Sequence, residues 1–239
     1  MFNNYLIARN KIGFPKYLKQ ETLKKHLLIY SDNNTIKKVY FKIIKQHMKN
    51  REPFVILNNF GLSSTDIKYL NKLYSKFNNK QTIEFVNSES FASDNFKPSY
   101  SNSYIISSDV IDSSITEFFN NLNAAIIHHN IEKKINRTKR SFNYLFIFGE
   151  YKESKYMQGT FMQGRSLNIS AIVHTSETNN TNIFKNVFFN SYTKILLYPY
   201  SLKFSAEIIK LDNKKRFINI FSPIYKNNFI ISNEKLKVF

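Results

Sequence analysis

An α/β fold, with one central, mostly parallel sheet and helices on both faces, is what this sequence predicts. Two observations carry that expectation. Short runs rich in β-branched and aromatic residues alternate with longer stretches whose apolar residues recur every three to four positions, and several of the short runs, FVIL at 54–57 above all, are apolar on both sides. Strands without a polar side are buried on both faces, which is the condition of a parallel sheet covered by crossover helices. With 239 residues, 42% of them hydrophobic, the chain can bury one sizeable core; no internal repeat or boundary stands out, so a single domain over 1–239 is expected.

The elements follow in order. HLLIY, residues 26–30, forms a buried strand that runs through a polar turn into a helix over 35–48. There Ile36, Val39, Tyr40, Ile43, Ile44 and Met48 share one face, with Lys37, Lys38, Lys42 and Lys45 mostly opposite. Pro53 stops that helix, and FVIL at 54–57 reads as a second buried strand. Ser63 or Ser64 caps a helix in which Ile67, Leu70, Leu73, Tyr74 and Phe77 repeat on one side, and TIEFVN at 82–87 is the third strand. Two successive strand-helix-strand units imply right-handed crossovers. The Ser/Asn-rich residues 87–108 read as a loop, followed by a long helix over 109–129 with Asp109 and Asp112 as acids at its start. The basic stretch EKKINRTKR leads into the strand YLFIFGE, then a loop and helix over 151–167 and the strand ISAIVHT. A helix, a strand at 193–198, a helix at 202–211 and two terminal strands complete the chain.

Composition sets limits on function. With no cysteine, disulfides and thiolate metal sites are excluded and a reducing compartment fits. No apolar run approaches the length of a membrane span, so a cytoplasmic protein, held at an inner membrane only through partners, is expected. Thirty-five Lys and Arg against 17 Asp and Glu give a net charge of +18. Such charge attracts nucleic acid, with Lys133, Lys134, Arg137, Lys139 and Arg140 and the exposed side of the 37–45 helix as candidate contacts. The codon usage of an A+T-rich genome produces the same wealth of Lys, Asn, Ile, Phe and Tyr. The two origins differ in distribution: function concentrates the cations on one face, codon usage scatters them. His128, His129 and His174 read as satisfied histidines, since adjacent histidines point to different sides of a helix, and no metal site is expected.

HLLIYSDNNTIKK, residues 26–38, also has the frame of a phosphate-binding loop: a buried strand, a polar turn, and a helix whose first turn carries Lys37. The glycines that let such a loop curl around phosphate are replaced by Ser31, Asn34 and Ile36.

Four segments resemble, in order, the type IV secretion coupling proteins of the TraG/TraD kind, which include the Icm/Dot coupling protein DotL. IARNKIGFPKYLKQETLKKHLLIYSDNNTIKK is similar to their approach to the nucleotide loop, with Gly13, Pro15, Leu18 and His26 in matching places. REPFVILNNFG and TIEFVNSESF are similar to the next two strands, YLFIFGE to the Walker B strand, and FMQGRSLNISAIVHTSE to the family's A-Q-G-R-x-L run and the strand after it. The resemblance implies a RecA/FtsK-type P-loop ATPase domain, truncated around 88–140 where the family carries an all-helical insertion and without the family's membrane-spanning segment.

The same resemblance implies which catalytic parts persist. Lys37 matches the nucleotide-binding lysine, Glu150 the Walker B glutamate, and Arg165 a position similar to an arginine finger that reaches a neighbouring subunit. Lys38 stands where the magnesium-binding hydroxyl belongs, Gly149 replaces the Walker B aspartate, and Ser176 replaces a glutamine. These departures imply a degenerate domain without nucleotide turnover. Such a domain would be a scaffold or partner subunit among type IV secretion components or beside an active paralogue, as a homo- or hetero-oligomer. ATP and magnesium enter only in the alternative, an active DNA or protein translocation motor; a basic, sequence-indifferent nucleic-acid binder is the other.

Overall fold

The computed structural model describes residues 4–9, 15–19, 26–31, 33–77, 83–92, 96–135, 143–177, 181–191, 193–197, 218–225 and 228–232. Two antiparallel strands, β1 (Asn4–Arg9) and β2 (Pro15–Lys19), form a hairpin. The remaining strands are β3 (Leu27–Tyr30), β4 (Phe54–Leu57), β5 (Ile83–Val86), β6 (Ser103–Ile106), β7 (Tyr144–Glu150), β8 (Ile169–Thr175), β9 (Thr193–Leu197), β10 (Ile218–Tyr225) and β11 (Asn228–Ser232). They join one sheet in the order β11-β10-β9-β3-β8-β7-β4-β6-β5. Every neighbouring pair is parallel except the β10–β11 hairpin at one edge. The contiguous run β3-β8-β7-β4 brings together a strand from each of the four segments that the resemblance singled out, while TIEFVNSESF, which holds β5, lies apart at the edge.

Two helices cover one face of the sheet, and β1 of the hairpin lies against the first of them. The helices are α1 (Asn33–Lys49) and α2 (Ser64–Phe77), and they enclose a core that includes Leu27, Ile29, Phe54, Ile56, Leu145 and Ile147. The other face is covered by α3 (Ser88–Ala92), α4 (Asp112–Ile135), α5 (Lys155–Gln163) and α6 (Asn182–Asn190). The six apolar residues expected on the inner side of α1 are all buried there. At the start of α2, Ser63 accepts from the Asp66 amide at 3.2 Å while its own amide donates to the Asp66 carboxylate at 2.9 Å, a reciprocal cap that settles where the helix begins.

The reading of 87–108 as a loop needs correction. Asn87 caps α3 through its side chain, and residues 103–106 form β6, fully buried between β4 and β5. β5 is therefore an edge strand and does not pair with β4. Four residues embedded in Ser and Asn give no periodic signal, so only the vacancy between two strands reveals the strand. The long helix begins at Asp112 and runs to Ile135; Asp109 precedes it and accepts from Ser88 at 3.0 Å. The helix expected at 202–211 lies outside the described residues, as do Gly13, Arg137, Lys139 and Arg140. Lys133 and Lys134 lie on the last turn of α4, with their side chains outside the description.

Two buried histidines make the fold acid-sensitive. His47, in the last turn of α1, donates through Nε2 to the Pro53 carbonyl at 2.8 Å. Burial lowers its pKa from 6.5 to about 4, against the carbonyl bond and despite the Glu52 carboxylate 3.5 Å from Nδ1. His26 accepts from the Ala171 amide at 3.0 Å, and burial, with the Arg165 charge, lowers it to about 3. Both are neutral when folded, whereas the unfolded chain protonates them as pH falls below 6.5, so the unfolded state binds more protons and stability declines. Each should contribute a slope of about 1.4 kcal/mol per pH unit below that point. Urea unfolding at pH 7, 6 and 5 should show this loss, and His47→Gln should flatten the profile. An unchanged unfolding free energy across that range contradicts the assignment.

Candidate functional site

The carboxyl ends of β3, β8, β7 and β4 meet at one edge of the sheet, the place where parallel α/β proteins bind ligands. In a phosphate-binding loop, the backbone between strand and helix stays open so that its amides converge on an anion. Here α1 begins at Asn33, two residues into the stretch that matches the loop, and the Ser31 amide is spent on the Thr175 carbonyl at 2.9 Å. Ile36 is buried within α1 and packs with the core.

A directed chain of hydrogen bonds occupies this edge. Tyr40, from α1, lies 2.9 Å from Nδ1 of His174 on β8, and Nε2 of that ring lies 2.7 Å from Oδ1 of Asn33. An amide oxygen only accepts, so Nε2 carries a proton; in the neutral ring Nδ1 then accepts from the tyrosine, whose hydroxyl also lies 3.5 Å from the Gly149 carbonyl. The Asn33 amide in turn donates to the Glu150 carboxylate at 3.3 Å. Burial holds the Tyr40 hydroxyl well above its ordinary pKa, so it remains a donor. Tyr40 and His174 also meet edge to face, with ring centroids 5.6 Å apart, and Phe60 closes on the same imidazole at 6.1 Å.

Asn59 completes the plug. Its side chain donates to the Glu150 carbonyl and accepts from the Glu150 amide, both at 2.8 Å, so it pairs with the end of β7 as a further strand would. That approach requires the residue before Glu150 to lack a side chain. Gly149 has φ +66, and a Cβ there would lie 1.9 Å from the Asn59 Oδ1 and 2.8 Å from the Leu57 carbonyl. The position that matches the Walker B aspartate is thus closed to any side chain.

The residues singled out from the sequence are only partly brought together. Lys37 binds Asp66 of α2 at 3.3 Å, so its ammonium is engaged by a carboxylate. Glu150 sits in the plug. Arg165 lies on the 3₁₀ turn Gly164–Leu167 that precedes β8, at the amino edge of the sheet, where its guanidinium donates to the Asn190 carbonyl at the end of α6. β7 and β8 are parallel seven-residue strands, so Arg165 and Glu150 are separated by about 20 Å along the sheet and do not act on one site within a single chain. Asn33, Tyr40 and Asn59 were missed by sequence reasoning; the pair of asparagines after a buried strand was the available signal. Among the described residues no His, Asp and Glu cluster could hold a metal, and His128 instead faces Glu132, four residues on, at 3.4 Å.

The fit of a bound magnesium nucleotide can be judged from these contacts. The Ser31 amide is taken by Thr175, the lysine pairs with Asp66, no glycine lets the turn curl around phosphate, and Asn59 closes on the end of β7 where the metal-binding carboxylate would stand, so the residues present do not fit that group. The geometry holds the four strand ends together.

Substitutions at Gly149 and Asn59 test the plug. Gly149→Ala should cost about 2–4 kcal/mol of stability, from a left-handed backbone and a side-chain clash. Gly149→Asp, which restores the resembled residue, should destabilise comparably and create no magnesium site. Asn59→Gly in the Gly149→Asp background should recover part of the loss. Denaturant unfolding measures all three, and a neutral Gly149→Asp contradicts the packing described.

No family model and no curated protein matches the chain. Solved structures do. The cytoplasmic domain of EssC aligns with a TM-score of 0.54 at 9% identity, over 86% of this chain and 39% of that one. EssC (ATPases 2 and 3) from Geobacillus thermodenitrificans aligns with a TM-score of 0.52 at 10% identity, over 85% and 39%. The cytoplasmic domain of the Thermomonospora curvata type VII secretion ATPase EccC aligns at 0.42 and 9%, over 92% and 22%. The chain spans about two fifths of the length of the two EssC structures, and at this identity the likeness is one of fold: a P-loop NTPase-like α/β domain.

Proposed function

We propose that this chain is a non-hydrolysing relative of the secretion ATPases, of the type IV coupling kind that its motifs resemble, serving as a scaffold or partner subunit in protein or DNA transfer. The single observation that carries this reading is the plug. Tyr40, His174, Asn33, Glu150 and Asn59 bind one another where a motor domain would keep room for phosphate and metal. A nucleotide in such a fold couples the loops after several strands; here side chains make that connection permanently, which suits a part that holds its neighbours in place. The partners proposed are secretion components or an active paralogue, in a homo- or hetero-oligomer. The location proposed is the cytoplasm, with any placement at an inner membrane made through those partners.

Calorimetry with Mg-ATP tests the reading. We expect binding weaker than millimolar and no phosphate release above the buffer rate. Micromolar affinity abolished by Lys37→Ala would favour the active motor instead, because Lys37 would then have to leave Asp66 for the nucleotide.

A further inference from the structure

Charge is divided unequally between the faces of the sheet. Among the described residues, α1 and α2, which share one face, carry eight lysines and one carboxylate, Asp66, and Lys37 engages that carboxylate. Helices α3 to α6, on the opposite face, carry four lysines and four carboxylates. Codon usage acts on every helix alike and would scatter lysine over both faces; it does not account for this segregation.

The basic face has an internal order. Lys38, Lys45 and Lys49 are exposed along α1, and Lys68, Lys72 and Lys76 are exposed at four-residue spacing along α2, one every ~6 Å of helix axis. The two helices meet through Phe41 and Tyr69, whose rings lie edge to face with centroids 6.0 Å apart. Tyr69 is 49% exposed at that seam, on the helix that carries the second lysine row.

We propose that the α1/α2 face docks on an anionic lipid bilayer. Three features favour a membrane over nucleic acid. Two helices lying side by side against a sheet present their flanks, a broad surface, whereas groove recognition uses a helix or strand ribbon inserted into the duplex. Every helical cation on this face is a lysine, a point charge suited to a diffuse surface potential, whereas phosphate and base reading draws on the arginine fork. A half-exposed tyrosine between basic residues has the amphipathic ring that settles at headgroup level. No helix among the described residues is long and apolar enough to cross a membrane, so the contact is with headgroups. Each lysine near an anionic leaflet raises the partition about fivefold, so six of them suffice for reversible binding that salt weakens. This inference is independent of the nucleotide question.

The test is flotation of the full chain with vesicles of equimolar phosphatidylglycerol and phosphatidylcholine, beside vesicles of phosphatidylcholine alone and a DNA duplex. The protein should float with the anionic vesicles, not with the neutral ones, and added salt should release it. The exposed triple variant Lys68→Glu, Lys72→Glu, Lys76→Glu should lose at least about a hundredfold in partition, the share of three lost lysine attractions before the added repulsion. The variant Lys155→Glu, Lys185→Glu, on the opposite face, should change it little. Thermal unfolding shows whether each variant folds; if the triple variant does not, the salt series and Tyr69→Ser on the otherwise unaltered chain decide. Equal flotation with neutral vesicles, equal loss in both variants, salt-independent binding, or duplex binding without flotation overturns the proposal.

Discussion

From β3 across to β5 every neighbouring pair of strands runs parallel, and that constraint orders the rest of the molecule. A parallel pair cannot be closed by a tight turn; the chain must return across a face of the sheet, and a helix is the structure that does so while satisfying its own amides. Helices on both faces then bury the central strands completely, as β4 and β8 show at every position. The same geometry sends all the strand ends of one sense to one edge. Whatever residues follow β3, β4, β7 and β8 must therefore meet, and in this chain they meet as a plug.

The plug is costly to disturb because its members are polar, largely buried and mutually satisfied. Removing one partner from such a set leaves another without its bond, at about 1–3 kcal/mol each, whereas the intact set only exchanges water for protein partners. Gly149 shows how closely backbone and side chain are matched, since a left-handed residue without a Cβ lets Asn59 pair with the end of β7. A phosphate site needs the opposite arrangement, with donors held open toward solvent. The two demands compete for the same few residues after β3, and the Asn33 side chain, bound to His174 and Glu150, serves the first.

Charge follows a different logic from packing. The core does not depend on the lysines of α1 and α2, because their inner sides carry Ile36, Val39, Tyr40, Ile43, Ile44, Leu70 and Tyr74. That independence leaves the outer side of these helices open to a second use, and the same sheet can hold a closed polar edge and a basic face without conflict.

The sequence alone determined the fold class, the four central strands and the inner sides of α1 and α2, because hydrophobic periodicity is a local property that the chain cannot hide. It also determined the frame of the site, placing Lys37 after β3 and Glu150 at the end of β7, and its missing glycines argued against phosphate binding. Only the tertiary structure decided the partners. Lys37 reaches Asp66 twenty-nine residues away, His174 lies between Tyr40 and Asn33 across more than a hundred, and β6 fills a place no periodicity announced. The segregation of lysine was likewise invisible in one dimension, since only the sheet determines that α1 and α2 share a face. Pairings between distant residues are set by which strands lie side by side, and a linear pattern records the strands without recording their order.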